Sequence, residues 1–187
     1  RDEDFIEHVF VASTHDDLMC FTNTGRVFKM KVYEIPEMSR TSLGRAIINL
    51  IEMKQGERTC AYLAIKNFEQ GSNFLTFVSR EGIVKRTPLK AYANVGRSGL
   101  IAVGLKEGDS LLDVCLTSGV DDVLLATAGG MSIRFSERDA REMGRSAAGV
   151  KGIELEEGDL VIGAVVVPMI DQGNDRIVTK DPGLCLL

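Results

Sequence analysis

DDLMCFTNTGRVFKMKV, residues 16–32, decides the fold, because its layout recurs along the chain. Acidic residues open it, a short apolar run follows, and a Gly-containing turn leads into a second run with basic residues at alternate positions. SNFLTFVSREGIVKRT (72–87) and DDVLLATAGGMSIRF (121–135) are built the same way, and DRIVTKDPGLCLL (175–187) begins a further copy. Aligning the copies on their turn glycines pairs Gly25 with Gly82, Gly130 and Gly183, at spacings of 57, 48 and 53 residues. The fourth residue after the glycine is a cation in the three complete copies: Lys29, Arg86 and Arg134.

Each copy reads as a β-hairpin whose turn glycine supplies a positive φ. In the first, Leu18–Phe21 and Val27–Val32 are the expected strands. Val27, Lys29 and Lys31 then share one face and Phe28, Met30 and Val32 the other, as a half-buried strand requires. An apolar strand is expected over Phe5–Ser13. Pro36 ends the hairpin, and Glu37–Gly44 reads as a polar loop or short helical turn. A further strand is expected over Ile47, Ile48, Leu50 and Ile51.

That strand recurs too, since Gly44, Gly99 and Gly149 each precede a leucine by six residues (Leu50, Leu105, Leu155). Each such strand runs into a Gly-acid turn: Gly56-Glu57, Gly108-Asp109 or Gly158-Asp159. Another apolar run follows, Cys60–Ile65, Leu111–Leu116 or Leu160–Val167. One unit is thus about four short strands, with a helical turn or two expected only at Glu137–Met143. Units of this length in series predict an all-β, propeller-like architecture of four-stranded blades. The expected blades are 5–65, 66–116 and 117–167, with a partial one at 168–187.

A chain of 187 residues that is 44% hydrophobic and 26% charged is globular rather than disordered. It has no apolar run near the ~20 residues of a membrane span, and its acidic start is unlike a signal peptide. Cys20, Cys60, Cys115 and Cys185 are far apart and form no CxxC pair, which fits buried thiols in a cytoplasmic protein better than disulfides or a metal site. The net charge of −5 is unevenly spread: acids crowd the start and the Gly-acid turns, while cations follow the hairpin glycines and occupy a Gly-Arg-Ser element. The abrupt start and stop suggest a piece of a longer protein.

No catalytic constellation stands out. His8 and His15, with Asp16 and Asp17 adjacent, fit a strand end better than a metal site. Asp16-Asp17 and Asp121-Asp122 fit turns better than acid–base pairs. Gly144-Arg145-Ser146-Ala147-Ala148-Gly149 is too long for a nucleophile elbow, and no phosphate loop is present. No cofactor is expected.

VYEIPEMSRTSLGRAIINL (32–50) with Arg40 and Gly44-Arg45, AREMGRSAAGVKGIEL (140–155) and the glycine-plus-cation hairpins resemble the C-terminal domain of the A protein of DNA gyrase and of its topoisomerase IV counterpart. The resemblance covers the chain up to about Pro168. It implies a β-pinwheel, a propeller-like disc whose blades exchange a strand, here a partial disc because the family's discs have five or six blades. It further implies a non-catalytic domain that binds and bends duplex DNA around a basic rim. The partners implied are double-stranded DNA and the other subunits of a bacterial, nucleoid-associated, ATP-dependent type II topoisomerase, with no membrane. The family's catalytic tyrosine lies in another domain; Tyr33, Tyr62 and Tyr92 lack its surroundings.

The heptapeptide Gln-basic-Arg-Gly-Gly-basic-Gly that marks the gyrase branch does not occur in the chain. A topoisomerase IV domain that binds DNA without strong wrapping, or a propeller-like protein-interaction scaffold, therefore stand as alternatives. The candidate DNA contacts are Lys29, Lys31, Arg45, Lys85, Arg86, Arg97, Arg134, Arg145 and Lys151. A repeated row of cations suits duplex DNA because each neutralised phosphate releases counterions. Solvated strand cations that discourage edge pairing are the plainer reading.

Overall fold

In the computed structural model, residues 8–39, 42, 44–69, 71, 73–172 and 175–178 are described, with side chains up to residue 170. Its strands in chain order are β1 (Asp17–Thr22), β2 (Arg26–Lys31), β3 (Thr59–Ile65), β4 (Phe74–Ser79), β5 (Ile83–Pro88), β6 (Leu100–Ile101) and β7 (Leu111–Thr117). They continue with β8 (Asp122–Thr127), β9 (Ser132–Ser136), β10 (Val150–Lys151), β11 (Val161–Val167), β12 (Met169–Gln172) and β13 (Asp175–Val178). Every pairing between these strands is antiparallel.

The first blade has strand order β3-β1-β2-β6, the second β10-β5-β4-β7 and the third β11-β8-β9. The outermost strand of each four-stranded blade thus comes from the next sequence unit: Leu100 pairs with Val27, and Val150 with Val84. This strand exchange makes the molecule an all-β pinwheel. Adjacent blades are also stitched at their turns, where the Leu111 amide donates to the Asn23 carbonyl and the Val161 amide to that of Arg80, both at 2.9 Å.

The turn glycines matter for more than φ. Gly25 has φ +80°, and a Cβ there would lie 2.6 Å from the Val103 carbonyl oxygen. Gly82, at φ +76°, would meet the Ile153 side chain at 2.7 Å. Only a residue without a side chain lets the incoming segment lie on the turn.

The core runs between blades as well as within them. Met19, Phe21 and Val27 of the first blade pack with Leu75, Phe77, Tyr92, Leu111 and Val114 of the second. Val78 and Val84 pack with Val123, Leu125 and Val161 of the third. The outer face of the first blade is covered by Ile47, Leu50 and Ile51 of its own loop.

Four expectations need correction. The β2 hairpin is not half-buried, because Val27 and Phe28 are both fully buried and lie in different core clusters. Residues 8–13 form no strand: β1 already has a partner on each side, and Phe10 stacks on Tyr62 instead. Ile47–Asn49 is a single 3-10 turn rather than a strand, and only two residues of each equivalent segment pair. The strand Asp175–Val178 pairs with an unanticipated partner, Met169–Gln172. Glu137–Asp139 forms the expected short helical turn. Arg40, residues 5–7 of the expected first strand and the last copy's Gly183 lie outside the described residues.

Candidate nucleic-acid interface

Register makes Lys29, Arg86 and Arg134 equivalent: they pair with Met19, Thr76 and Leu124, the third residue of each blade's leading strand. All three are engaged internally. The half-buried Lys29 ammonium donates to the Ala93 carbonyl of the second unit and sits 4.9 Å from the Phe68 ring centroid. Arg86 lies 4.5 Å over the Phe74 ring and 3.7 Å from the buried Glu137 carboxylate, its side chain only 11% exposed. Arg134 grips Asp122 Oδ2 through Nε and Nη2, both at 2.9 Å.

Lys85 needs the firmest correction. The residue is 1% exposed, and its ammonium donates to the carbonyls of Ala102 at 2.6 Å and of Gly144 and Arg145. Burial lowers its pKa to about 8. No duplex reaches it. It lies inward because its position on β5 faces the packed second blade and the exchanged segments on either side.

The Gly-Arg-Ser loops present the opposite case. Arg97 and Arg145 follow Arg86 and Arg134 by the same eleven residues, and both are exposed. Each loop docks on the return strand of the preceding blade: the Lys29 amide donates to the Gly96 carbonyl, and the Met143 amide to that of Arg86. Arg145 and Ser146 share a shallow cavity with Leu100 and Ile101 of the exchanged strand β6. The Arg145 guanidinium makes no hydrogen bond or ion pair among the described residues. Arg97 makes one ion pair across the blade boundary, to Glu34 at 2.9 Å, while its side chain stays 62% exposed. That hydrogen bond from Arg97 leads the causes that hold the Glu34 carboxyl below its usual range.

The remaining expected contacts divide. Arg45 is exposed, with no side-chain partner among the described residues. Lys151 on β10 is exposed and pairs with Glu154 at 2.9 Å. Lys31 pairs with Asp17 at 3.0 Å and also reaches the His15 carbonyl. The sequence reading missed two exposed arginines, Arg58 and Arg80, which line one cavity with His8 and Asn23 on the turn face. Their signal was position, since Arg58 follows a Gly-acid turn and Arg80 sits in a hairpin turn.

The Gly-acid turns act as hairpin locks. Glu57 accepts from both the Thr22 and Thr24 hydroxyls, at 2.7 and 2.6 Å, and from Arg26 at 2.9 Å. Burial alone would raise its carboxyl; those hydroxyls, the Lys54 amide and Arg26 together carry it below its usual range. Asp109 and Asp159 accept the Glu81 and Gly129 amides in the next two blades. The aspartate pairs likewise act in turns, as when Asp121 accepts the Ser118 amide.

Nothing reactive emerges among the described residues. Burial pushes the Cys20 and Cys60 thiols to about 12 and Cys115 higher still. Tyr92 is buried and spends its hydroxyl on the Ala102 carbonyl. Among the described residues no group of three His, Cys, Asp or Glu is placed to hold a metal, and no helix is long and apolar enough to cross a membrane.

A family model described as "DNA gyrase C-terminal domain, beta-propeller" matches residues 16–58, 73–115 and 121–168. The gyrase A protein of Staphylococcus epidermidis is 44% identical over 180 residues, 96% of this chain and 20% of the relative. The gyrase A protein of Klebsiella oxytoca is also 44% identical, over 179 residues and the same shares. The chain therefore spans about a fifth of the length of these curated relatives. Among solved structures, the C-terminal domain of DNA topoisomerase IV superposes with a TM-score of 0.76 at 35% identity, over 83% of this chain and 48% of that one. A gyrase A C-terminal domain superposes at 0.68 with 24% identity, over 83% and 49%, a likeness of fold. With three matched segments that coincide with the three blade sheets, two of them completed by strand exchange, the chain belongs to the DNA gyrase C-terminal domain family.

Proposed function

We propose that the chain is a non-catalytic module that binds and bends duplex DNA for a bacterial, ATP-dependent type II topoisomerase, most closely of the gyrase A branch. The observation that carries this reading is the repeated, exposed arginine of the Gly-Arg-Ser loops, Arg97 and Arg145, each eleven residues after its unit's return-strand arginine. Arg45 and Lys151, both exposed, and Arg134 and Lys31, each paired with an aspartate, are further candidate contacts. Lys29 and Arg86 serve as supports. Guanidinium groups suit phosphate because they offer two parallel donors to its oxygens. Contacts made only to backbone phosphates bring no sequence preference.

A curved row of such contacts favours a bent duplex. Bending 20–30 base pairs costs about 1–6 kcal/mol, which several phosphate contacts offset. The gyrase branch is favoured by the 44% identity to gyrase A proteins across nearly the whole chain. On this reading the partners are duplex DNA and the other topoisomerase subunits, in the bacterial cytoplasm at the nucleoid.

The test is gel retardation of duplexes of unrelated sequence over a salt series, followed by closure of nicked plasmid with ligase in the presence of the protein. The expected result is binding without sequence preference that weakens steeply with salt, and a shift in linking number. Retention without a linking-number shift would leave DNA binding of the topoisomerase IV kind. No retention at low salt would overturn the proposal.

A further inference from the structure

Each Gly-Arg-Ser loop is a tight turn with a cation of the preceding blade fixed against it. Arg97 and Ser98 are the central residues of one turn, closed by the Gly99 amide on the Gly96 carbonyl at 3.1 Å. Arg145 and Ser146 are those of the other, closed by the Ala147 amide on the Gly144 carbonyl at 3.3 Å. Such a turn leaves the carbonyls of its two central residues without a partner inside it. In the first turn, Arg26 Nη2 donates to the Ser98 carbonyl at 2.8 Å. In the second, the Lys85 ammonium donates to the Arg145 carbonyl and, at 3.3 Å, to that of Gly144.

Both cations are held from behind. Arg26 lies 4.6 Å over the Phe28 ring and is tied to Glu57 at 2.9 Å, with its side chain 16% exposed. Lys85 lies 4.8 Å from the Phe77 ring centroid and also donates to the Ala102 carbonyl at 2.6 Å. The second turn is seated further by the Gly104 amide, which donates to the Ala147 carbonyl at 3.2 Å. A Cβ at Gly104 would lie 2.6 Å from the Ser146 carbonyl oxygen, so this close approach requires glycine.

Core packing alone does not account for Lys85. The units on either side carry Phe28 and Ile133 at the same distance from their turn glycines. An ammonium buried on carbonyls, with no carboxylate paired to it among the described residues, costs free energy that an apolar residue would not. What the charge gains is a rigid hold on one turn. Arg26 gives the other turn the same hold from a different position, one residue after its glycine rather than three.

We propose, resting on the DNA-binding reading, that Arg26 and Lys85 are positioning residues, which fix the Gly-Arg-Ser turns so that Arg97 and Arg145 meet the phosphates of duplex DNA already oriented. An arginine on a pre-set backbone gives up less conformational freedom on binding, so its contact is stronger. Lys85, 1% exposed, touches no DNA itself.

Two readouts separate this from a purely structural role, and the first needs no DNA. Trypsin cuts after arginine by drawing that residue's carbonyl into its oxyanion hole, and the Arg145 carbonyl is the one Lys85 holds. Below the melting temperature of each variant, Lys85→Met should speed the cut after Arg145 about tenfold and leave the cut after Arg97 unchanged, while Arg26→Met should do the reverse. The second readout is retention of duplex DNA over a salt series. Lys85→Met should weaken it as much as Arg145→Ala does, about tenfold, and the double variant should bind no worse than either single one. Equal acceleration of both cuts, an unchanged cut after Arg145, or additive losses in the double variant would overturn the inference. The wild type distinguishes its failure from that of the DNA-binding reading, because only the latter abolishes retention by the unaltered chain. Should Lys85→Met not fold, Arg26→Met with Arg97→Ala decides by the same criteria.

Discussion

Two sets of cations recur in this chain at fixed offsets, and the fold treats them in opposite ways. Lys29, Arg86 and Arg134 lie on return strands, where a neighbouring unit or an acidic partner waits for each side chain. Arg97 and Arg145, eleven residues after two of them, lie on loops outside the packed sheets. A recurring charge therefore marks a recurring environment, and the environment decides whether the charge supports the fold or faces solvent.

That contrast breaks first at the most buried cation. Lys85→Ala strips three carbonyls of their donor and leaves a cavity between blades, so unfolding in urea should show a loss of about 3 kcal/mol. If Lys85 were a surface cation the loss would be near zero. Glu57→Gln, which weakens the lock on the first hairpin, should cost about 2 kcal/mol. Because the Glu57 carboxyl sits below its usual range when folded, its contribution is complete above the ordinary glutamate pKa and fades as pH falls through the folded value. The wild type should thus lose more stability than Glu57→Gln on acidification below about pH 4.5.

The outward set should respond in DNA binding instead. Arg145→Ala is expected to weaken retention about tenfold and to flatten the salt slope by about 0.9, one phosphate contact, with no change in melting temperature. A smaller effect concerns alkali. Lys85 has a folded pKa of about 8 against an ordinary 10.5, so from pH 8 the unfolded chain holds a proton that the folded one has lost, and stability rises. The rise should end near pH 9, where unfolded thiols ionise while Cys20 and Cys60, raised to about 12 by burial, do not. Lys85→Met should lack it in a thermal-melting series. Smallest of all, Glu34→Gln releases Arg97 from its one ion pair and should tighten retention about twofold.

The repeat was legible because turn chemistry is local: Gly25, Gly82 and Gly130 declare their hairpins in any context. Strand exchange was not legible from those residues, since Leu100 and Val150 read as strand but nothing near them names a partner in another unit. Exposure was the hardest to foresee. Lys85 and Arg86 follow a turn glycine much as Arg26 does, and only the stacking of blades separates the buried ammonium from its neighbours. Ile47–Asn49 read as a strand because of its apolar residues, yet it closes into a 3-10 turn that covers its own blade.

Strand exchange also sets an order of events as the chain is made. β2 emerges roughly seventy residues before β6, the strand that completes its sheet, and β5 waits nearly as long for β10. Contacts so distant along the chain close slowly. Each hairpin must stand with a bare edge until its successor has left the ribosome, so the blades finish in sequence, each one closing the last and exposing the next.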